Sequence, residues 1–135
     1  MASVTTSTEN PANRTAREVV EIYNFVVWNQ RDFELARALF ADSVIRHGVG
    51  ESRTLTRDEA VKRIEDAWGM FDEMEFELPV VVAGDDNEHV AIVYDTALTT
   101  KDGAKVNVGS IEIFRVVAGQ ITEVYNYGRK EGRWV

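Results

Sequence analysis

The sequence predicts a single α+β domain, with three helices on one side of an antiparallel sheet. Its 135 residues are about one domain's length. Helical spacing of apolar residues is confined to the first half of the chain, where two capping boxes mark helix starts. The second half consists of apolar runs joined by short turns, and strands joined in that way pair antiparallel. We therefore expect the helices to come first and most of the sheet to follow.

Both ends of the chain are expected to lie outside the domain. Residues 1–14 are rich in Ser, Thr, Asn and Pro and have few apolar side chains, which predicts a mobile tail. The domain is expected to span residues 15–130, and residues 131–135 form a short C-terminal tail without a clear pattern.

Helix starts are marked by capping residues. Residues 15–18 and 56–59 each begin with Thr and end with Glu, which is capping-box spacing, and apolar residues at helical spacing follow both. Asp32 is the expected cap of a helix between them. We expect the middle helix to end at residues 41–43 and the last helix near Glu73.

Strand patterns fill the rest of the domain. A short strand at residues 44–47 leads into a loop at residues 48–50. Turns rich in Gly, Asp and Asn then separate longer apolar runs. These runs predict strands at residues 74–83, 89–100, 106–117 and 121–127.

Composition excludes several classes of function. The chain has no cysteine, which excludes thiol nucleophiles and cysteine-ligated metals. Its net charge of −8 disfavours nucleic acid and anionic membranes, because both require a basic surface. No apolar run approaches the roughly 20 residues of a membrane span, and the N-terminus lacks the features of a signal peptide. We therefore expect a cytoplasmic protein without a nucleic-acid or membrane partner; no metal-ligand spacing stands out.

Three stretches resemble one family of domains. They are the helix-to-strand passage at residues 33–47, the start of the third helix at 55–61 and the closing hairpin at 111–127. With the order of elements, they resemble the SnoaL-like branch of the nuclear transport factor 2-like superfamily over about residues 16–128. The resemblance implies a cone-shaped fold, in which a curved sheet wraps the helices and the open end admits a ligand.

The resemblance leaves function open, because this fold carries enzymes, binding proteins and interaction modules. Its enzymes include polyketide cyclases, ketosteroid isomerase, scytalone dehydratase and limonene epoxide hydrolase, and few of them need a cofactor. We therefore expect an acid–base cyclase, isomerase, dehydratase or hydrolase without cofactor or metal, acting on an apolar carbonyl or polyketide-like molecule. The alternatives are a non-catalytic binder of a hydrophobic molecule and a dimeric interaction module. The resemblance also implies a homodimer through the outer face of the sheet.

Asp95 is the acid that the sequence favours for chemistry. It interrupts an apolar strand, where burial would suit it to act as a general acid or base. In the alternative, strand alternation turns it to solvent. By resemblance it matches one acid of limonene epoxide hydrolase, but Val93 and Asn126 occupy the positions of that enzyme's arginine and second aspartate. Epoxide opening by that set is therefore not expected.

His47 and Tyr23 are candidates by resemblance to ketosteroid isomerase. His47 stands at the general-base position, and histidine titrates near neutrality; the alternative is a hydrogen-bonding residue at a strand end. Tyr23 approximately matches the tyrosine that stabilises the oxyanion, whereas the partner aspartate falls near Ser110. Asn126 could orient a carbonyl or a water, or it could lie on the surface beside a turn.

Strand alternation assigns faces to the last two long strands. Ser110 and Glu112 share one face, and the isoleucines that flank them in sequence share the other. If Asn126 is on the inner face, then Tyr125 and Tyr127 point outward. For Glu112, the sequence favours the rim or the dimer interface over the pocket.

Residues of the helices and inner strands are expected to line the pocket, although such residues more often form plain core. The candidates are Trp28, Trp68, Phe71, Val93, Val108, Ser110 and Val124.

Overall fold

A computed structural model describes residues 10–135. Three α-helices are present in that part of the chain, preceded by a short 3-10 turn at Pro11–Asn13. None of them is long and apolar enough to cross a membrane. The helices are α1 (Ala16–Ile22), which continues as a π-helical turn (Tyr23–Trp28), α2 (Phe33–Leu39) and α3 (Arg57–Gly69).

The strands form one sheet against which the helices pack. Their order across the sheet is β2-β1-β6-β5-β4-β3, and β7 pairs with β5. All neighbours are antiparallel except β1 and β6, which are parallel. The strands are β1 (Phe40–Gly48), β2 (Glu51–Thr56), β3 (Phe71–Ala83), β4 (His89–Thr100), β5 (Lys105–Val117), β6 (Gln120–Asn126) and β7 (Lys130–Glu131).

The predicted helix starts are confirmed. Thr15 and Thr56 each accept a hydrogen bond from the backbone N–H three residues later at 3.1 Å, and the glutamate there accepts the threonine N–H at 2.9 Å. Asp32 accepts the backbone N–H of Leu35 at 3.1 Å. These contacts satisfy N–H groups that no helical carbonyl can reach, so they fix where each helix begins.

The core lies between the helices and the inner face of the sheet. On that face, Ile92 and Phe114 are at most 1% exposed, whereas Ile111 and Ile113 on the other face are 46% and 40% exposed. This alternation follows from the period of a strand. It confirms the α+β class and the predicted faces of the last two long strands.

Several boundaries differ from prediction. The sheet is mixed rather than purely antiparallel, because β1 joins the parallel partner β6. Strand β2 was not predicted, since Leu55 is its only apolar and only buried residue. Helix α3 ends at Gly69 rather than Glu73, and β3 follows almost directly.

The chain ends also carry structure. Of the predicted tail 1–14, residues 1–9 lie outside the described residues, while Pro11–Asn13 form the 3-10 turn. In the predicted C-terminal tail, Glu131 belongs to β7, where it pairs with Val108 of β5.

The π-helical turn after α1 sets the direction of two aromatic side chains. Inside it, the buried Asn24 donates a side-chain hydrogen bond to the carbonyl of Val20 at 2.9 Å. Tyr23 and Trp28 are five residues apart, which is the repeat of a π-helix rather than an α-helix. Their ring centroids are 6.4 Å apart in an edge-to-face contact. The wider turn therefore presents both rings to the same side of the helix.

Candidate functional site

A cavity of about 360 Å³ lies between the helices and the inner face of the sheet, beside β1 and β2. This volume is within the range of small-molecule sites. Its lining is more polar than the sequence predicts, and four arginines contribute to it. The lining residues are Tyr23, Trp28, Arg46, His47, Gly48, Glu51, Ser52, Arg53, Leu55, Arg63, Phe76, Tyr94, Glu112, Asn126, Gly128 and Arg129.

Four adjacent strands each bring one inward-facing polar residue to this cavity. Arg46 lies on β1, Asn126 on β6, Glu112 on β5 and Tyr94 on β4, in the order of the strands across the sheet. Glu112 and Asn126 are direct partners in the β5–β6 ladder. Arg46 pairs with Val124 and Tyr94 with Ser110, each two residues from Asn126 and Glu112. Because side chains two residues apart on a strand share a face, the four groups form a diagonal row across the inner sheet.

Glu112 is the acid at the centre of the row. Its side chain is only 12% exposed. Asn126 Nδ2 donates a hydrogen bond to Glu112 Oε2 at 2.8 Å, and a guanidinium nitrogen of Arg46 lies 3.7 Å from the same oxygen. Among residues 10–135, no hydrogen bond or ion pair reaches Oε1. One carboxylate oxygen is thus fixed by the protein, and the other is available to a bound molecule.

Two buried phenols contribute to the same cavity. Tyr23 and Tyr94 are each 3% exposed. Burial raises the pKa of Tyr23, and the charges of Arg63 and Arg46 oppose that rise. Burial also raises the pKa of Tyr94 to about 12, and the negative charge of Glu112 adds to the effect. Both phenols are therefore protonated at neutral pH and can donate hydrogen bonds.

The arginines give the cavity a positive lining. Arg46 and Arg63 are partly buried, whereas Arg53 and Arg129 are exposed at its rim. Burial lowers the pKa of the Arg63 guanidinium, and the nearby charge of Arg46 lowers it further. Arginine nevertheless stays protonated at neutral pH. The site therefore holds fixed positive charge in a chain whose net charge is −8.

The side chain of His47 points away from the phenols and Glu112. It pairs with Tyr125 in the β1–β6 ladder, on the outer face, and the two rings stack with centroids 4.2 Å apart. Its Nε2 lies 2.9 Å from Glu123 Oε1, and Arg115 donates to the other oxygen of Glu123 at 3.1 Å. His47 thus borders the cavity at the end of β1, but its imidazole belongs to an outer ion-pair network.

Asp95 lies on the outer face of the sheet, as does Val93. Strand alternation turns Tyr94 inward, so its neighbours turn outward. Asp95 is nevertheless only 8% exposed, because the C-terminal segment covers it: Asp95 Oδ1 accepts the backbone N–H of Trp134 at 3.2 Å. Asp95 therefore lies neither in the cavity nor in open solvent, the two positions that the sequence analysis considered. Its carboxylate holds the C-terminus in place.

The remaining predicted wall residues are divided between the cavity and the core. Trp28 lines the cavity, whereas Val124 is core and Phe71 and Val108 pack against it. Trp68 donates its indole N–H to the carbonyl of Trp28 at 2.9 Å and lines a separate groove. Ser110 is on the inner face, and its hydroxyl donates to the carbonyl of Gly128 at 2.8 Å. Tyr23 and Asn126 both line the cavity together with Glu112, and for Asn126 this is the inner rather than the surface position.

Sequence reasoning missed Tyr94, Arg46 and Arg63, and it favoured a different position for Glu112. Strand alternation and helical spacing contain signals that could have identified Arg46, Tyr94 and Arg63. Arg46 alternates with the buried Val44, and Tyr94 alternates with buried residues of β4. Arg63 falls at helical spacing from Ala60, on the inner side of α3. In each case a polar or charged residue stands at a position that the period assigns to the core.

Among the described residues, no group of three or more His, Cys, Asp or Glu side chains is arranged to hold a metal ion.

A family profile for the SnoaL-like domain matches residues 19–124. The chain therefore belongs to the SnoaL-like domain family, within the nuclear transport factor 2-like superfamily. The expected cone-type α+β fold is confirmed with it. A comparison with curated proteins finds no match.

Solved structures with the same fold include three informative relatives. A protein from Pseudomonas putida KT2440 proposed to be a polyketide cyclase is 21% identical, with 86% of this chain and 92% of that chain covered at a TM-score of 0.70. An LEH-like epoxide hydrolase of M. tuberculosis is 20% identical, with 88% of this chain and 81% of that chain covered at a TM-score of 0.70. SalBIII, an epoxide hydrolase/cyclase-like enzyme of pyran ring formation in salinomycin, is 20% identical, with 87% of this chain and 90% of that chain covered at a TM-score of 0.70. At these identities the likeness shows the fold alone.

Proposed function

We propose that this protein is a cofactor-free acid–base enzyme that moves a proton at a carbon next to a carbonyl group of a small molecule. The observation that carries the proposal is the meeting of one partly held carboxylate, Glu112, with two buried phenols in one cavity. Proton abstraction beside a carbonyl needs a base and donors for the oxygen that becomes negative. The cavity contains both kinds of group.

Glu112 is the proposed base. Its Oε1 takes the proton from the substrate carbon, and the electron pair of the broken C–H bond moves toward the carbonyl oxygen to give an enolate. Asn126 and Arg46 contact only Oε2, so they fix the direction of the carboxylate without occupying Oε1. In a cyclase the enolate then attacks a second carbonyl, and the resulting alkoxide oxygen takes the proton held by Glu112. In an isomerase the enolate takes that proton back at another carbon.

Tyr23 and Tyr94 are the proposed donors to the enolate oxygen. Their pKa values are raised by burial, so each keeps its proton and donates rather than ionises at neutral pH. A fixed donor in a site with little water stabilises developing negative charge more than water does. The nearby Arg46 and Arg63 add positive charge on the same side of the cavity.

The class of reaction agrees with the relatives. Solved structures of the same fold include proteins described as a polyketide cyclase and as an epoxide hydrolase, and the proposal lies within this range of activities. We favour the carbonyl reaction over epoxide opening, since Asp95 and Val93 lie outside the cavity.

The experiment is exchange of C–H for C–D in deuterated buffer, followed by proton NMR on a panel of small bicyclic ketones and 1,3-diketones. Wild-type protein should accelerate exchange for some members, and Glu112→Gln should reduce the rate by about 10²- to 10⁴-fold, the usual contribution of a general base. Glu123→Gln is the matched control on the outer face and should keep the wild-type rate. Equal rates in wild type and Glu112→Gln would exclude the assignment.

A non-catalytic binding protein is the second candidate. The observation that favours it is the pair of contacts to Glu112, because the hydrogen bond from Asn126 and the nearby Arg46 already give this carboxylate a structural role. This candidate predicts that a ligand raises the melting temperature and is recovered unchanged. Recovery of a chemically altered ligand would exclude it.

We also propose that the protein forms a homodimer through the outer face of the sheet. Three apolar or aromatic residues of neighbouring strands are exposed there: Ile111 at 46%, Ile113 at 40% and Tyr125 at 41%. Grouped apolar residues on an exposed sheet face are typical of a contact surface. The cavity opens on the opposite side of the sheet, so pairing would leave it accessible.

A further inference from the structure

The charges that line the cavity do not balance. Four arginines (Arg46, Arg53, Arg63 and Arg129) face two carboxylates (Glu51 and Glu112). The excess is unusual in a chain with more acidic than basic residues and a net charge of −8. Solubility alone does not explain it, because two of the four are not exposed.

Arg63 is the clearest case. Within residues 10–135, its guanidinium makes no hydrogen bond or ion pair. Some arginines elsewhere are paired, such as Arg57 with Asp42 at 2.9 Å and Arg115 with Glu88 at 2.9 Å, whereas the buried Nε of Arg14 has no partner among the described residues. The charges of Arg46 and Arg129 lie close enough to repel Arg63, and the charge of Glu112 lies close enough to attract it without a direct contact. A partly buried cation without a direct partner is costly for the folded protein.

We infer that the molecule bound in this cavity carries an anionic group that binds Arg63, with Arg46 and Arg129 beside it. The inference rests on the proposed function, since it concerns the same cavity, and it adds the substrate class: a carbonyl compound that is also an acid. A guanidinium presents a planar fork that matches two oxygens of a carboxylate or phosphate. Binding of such a group would relieve the repulsion among the arginines.

The same arrangement fixes the orientation of the substrate. The negative group cannot lie next to Glu112 Oε1, because two carboxylates in contact repel each other. It therefore binds on the α3 side, at Arg63, while the carbonyl lies toward Tyr23 and Tyr94. Neutral polyketide-like molecules would lack this anchor and would bind more weakly.

The test is isothermal titration of the whole protein with four ligands of similar shape: 2-naphthoate, 2-naphthyl phosphate, 2-naphthamide and 2-naphthol. We expect one or both anions to bind about 10-fold or more tighter than the two neutral molecules, a ratio equivalent to about 1.4 kcal/mol. A tighter naphthoate assigns a carboxylate, and a tighter naphthyl phosphate assigns a phosphate ester. Neutral molecules that bind as tightly as the anions would overturn the inference.

Variants locate the effect at Arg63. Arg63→Gln should remove most of the preference for the anion, and Arg63→Lys should keep part of it, which guards against a loss caused by misfolding. Arg17→Gln, at an exposed ion pair of α1, is the matched control and should keep the full preference. A preference that survives in folded Arg63→Gln would also overturn the inference. Because binding is measured without turnover, failure of Glu112 as a base would leave these results unaffected.

Discussion

Asn126 Nδ2 donates a hydrogen bond to Glu112 Oε2 at 2.8 Å across two antiparallel strands, on the face of the sheet that lines the cavity. Asn126 Oδ1 in turn accepts the backbone N–H of Gly128 at 2.6 Å. One amide therefore joins the acid of the site to the segment that follows β6. That segment carries Arg129 to the rim of the cavity.

Replacing Asn126 with Ala should destabilise the protein. The change removes both hydrogen bonds and leaves a partly buried carboxylate with fewer partners, which costs about 1–3 kcal/mol for such groups. Urea unfolding followed by circular dichroism measures the loss. Asn13→Ala, at an exposed side chain without a hydrogen bond among the described residues, should change the free energy of unfolding by less than about 0.5 kcal/mol. Equal stability of the two variants would show that the Asn126 contacts are unimportant.

Replacing Trp134 with Ala should release the C-terminal segment. Trp134 fastens the segment to β4 by its indole N–H, which donates to the carbonyl of Tyr94 at 3.0 Å; the alanine variant loses this contact and keeps only the backbone N–H bond to Asp95 at 3.2 Å. The amide of Gly132, which donates to the carbonyl of Asn107 at 2.8 Å, reports on this attachment. Its hydrogen exchange should become faster in Trp134→Ala and stay unchanged when only the exposed Val135 is deleted. Protection of Gly132 that persists in Trp134→Ala would contradict this role.

A methyl group at position 109 of β5 offers a separate test of the same attachment. A Cβ on Gly109 would lie 2.9 Å from Trp134 Nε1, closer than real contacts allow, and 3.1 Å from the carbonyl of Tyr94, closer than most. Gly109→Ala should therefore displace the indole and shift its fluorescence toward that of a solvated tryptophan. Gly69→Ala has open space around its added Cβ and should leave the spectrum unchanged.

Tyr94 should give the protein a late alkaline titration step. Burial favours the neutral phenol in the folded protein, so Tyr94 contributes stability below about pH 10, the ordinary tyrosine pKa. That contribution is lost as the pH rises through the folded-state pKa of about 12. Near-ultraviolet absorbance of tyrosinate should show late titration of both buried tyrosines in wild type, and Tyr94→Phe should reduce its amplitude by one tyrosine, leaving that of Tyr23. Tyr127→Phe, at an 85% exposed side chain, is the control and should retain the full late amplitude.

The proposed dimer predicts that Ile111→Glu yields a monomer. A charge at this position would be buried unpaired in a contact between two outer sheet faces, which strongly disfavours association. Sedimentation velocity at several protein concentrations measures the oligomeric state. Val49→Glu, in the exposed loop between β1 and β2, should remain dimeric. A wild-type protein that sediments as a monomer at all concentrations would contradict the dimer.

The sequence was sufficient for the fold but only for part of the site. Capping boxes and strand alternation involve residues close together in the sequence. The helix starts and the inner and outer faces of β5 and β6 could therefore be predicted. Tyr23, which was suggested by resemblance, and Asn126, for which a surface position was also open, both line the cavity. Strand β2 was missed, since an exposed edge strand needs little apolar sequence.

Asp95 and Glu112 show why the rest of the site could not be predicted. Both stand in apolar strands, and the sequence cannot tell that Trp134, 39 residues away, covers Asp95 on the outer face. Nor can it tell that Glu112 has Asn126 as its direct partner, because the strand register depends on the folded sheet. His47 is a similar case: its partners Glu123 and Tyr125 come from the parallel strand β6, which short-range pattern does not reveal.

A side-by-side comparison of three variants, Glu112→Gln, Asp95→Asn and His47→Gln, decides whether the chemistry belongs to the inner face. The measurement is the rate of C–H to C–D exchange for a ketone that wild-type protein activates. Glu112→Gln should lose about 10²-fold or more, while Asp95→Asn and His47→Gln, whose side chains lie on the outer face, should stay within about 3-fold of wild type, the scatter expected for residues without a catalytic contact. Full activity in Glu112→Gln, with a large loss in either of the other two, would contradict the site described here.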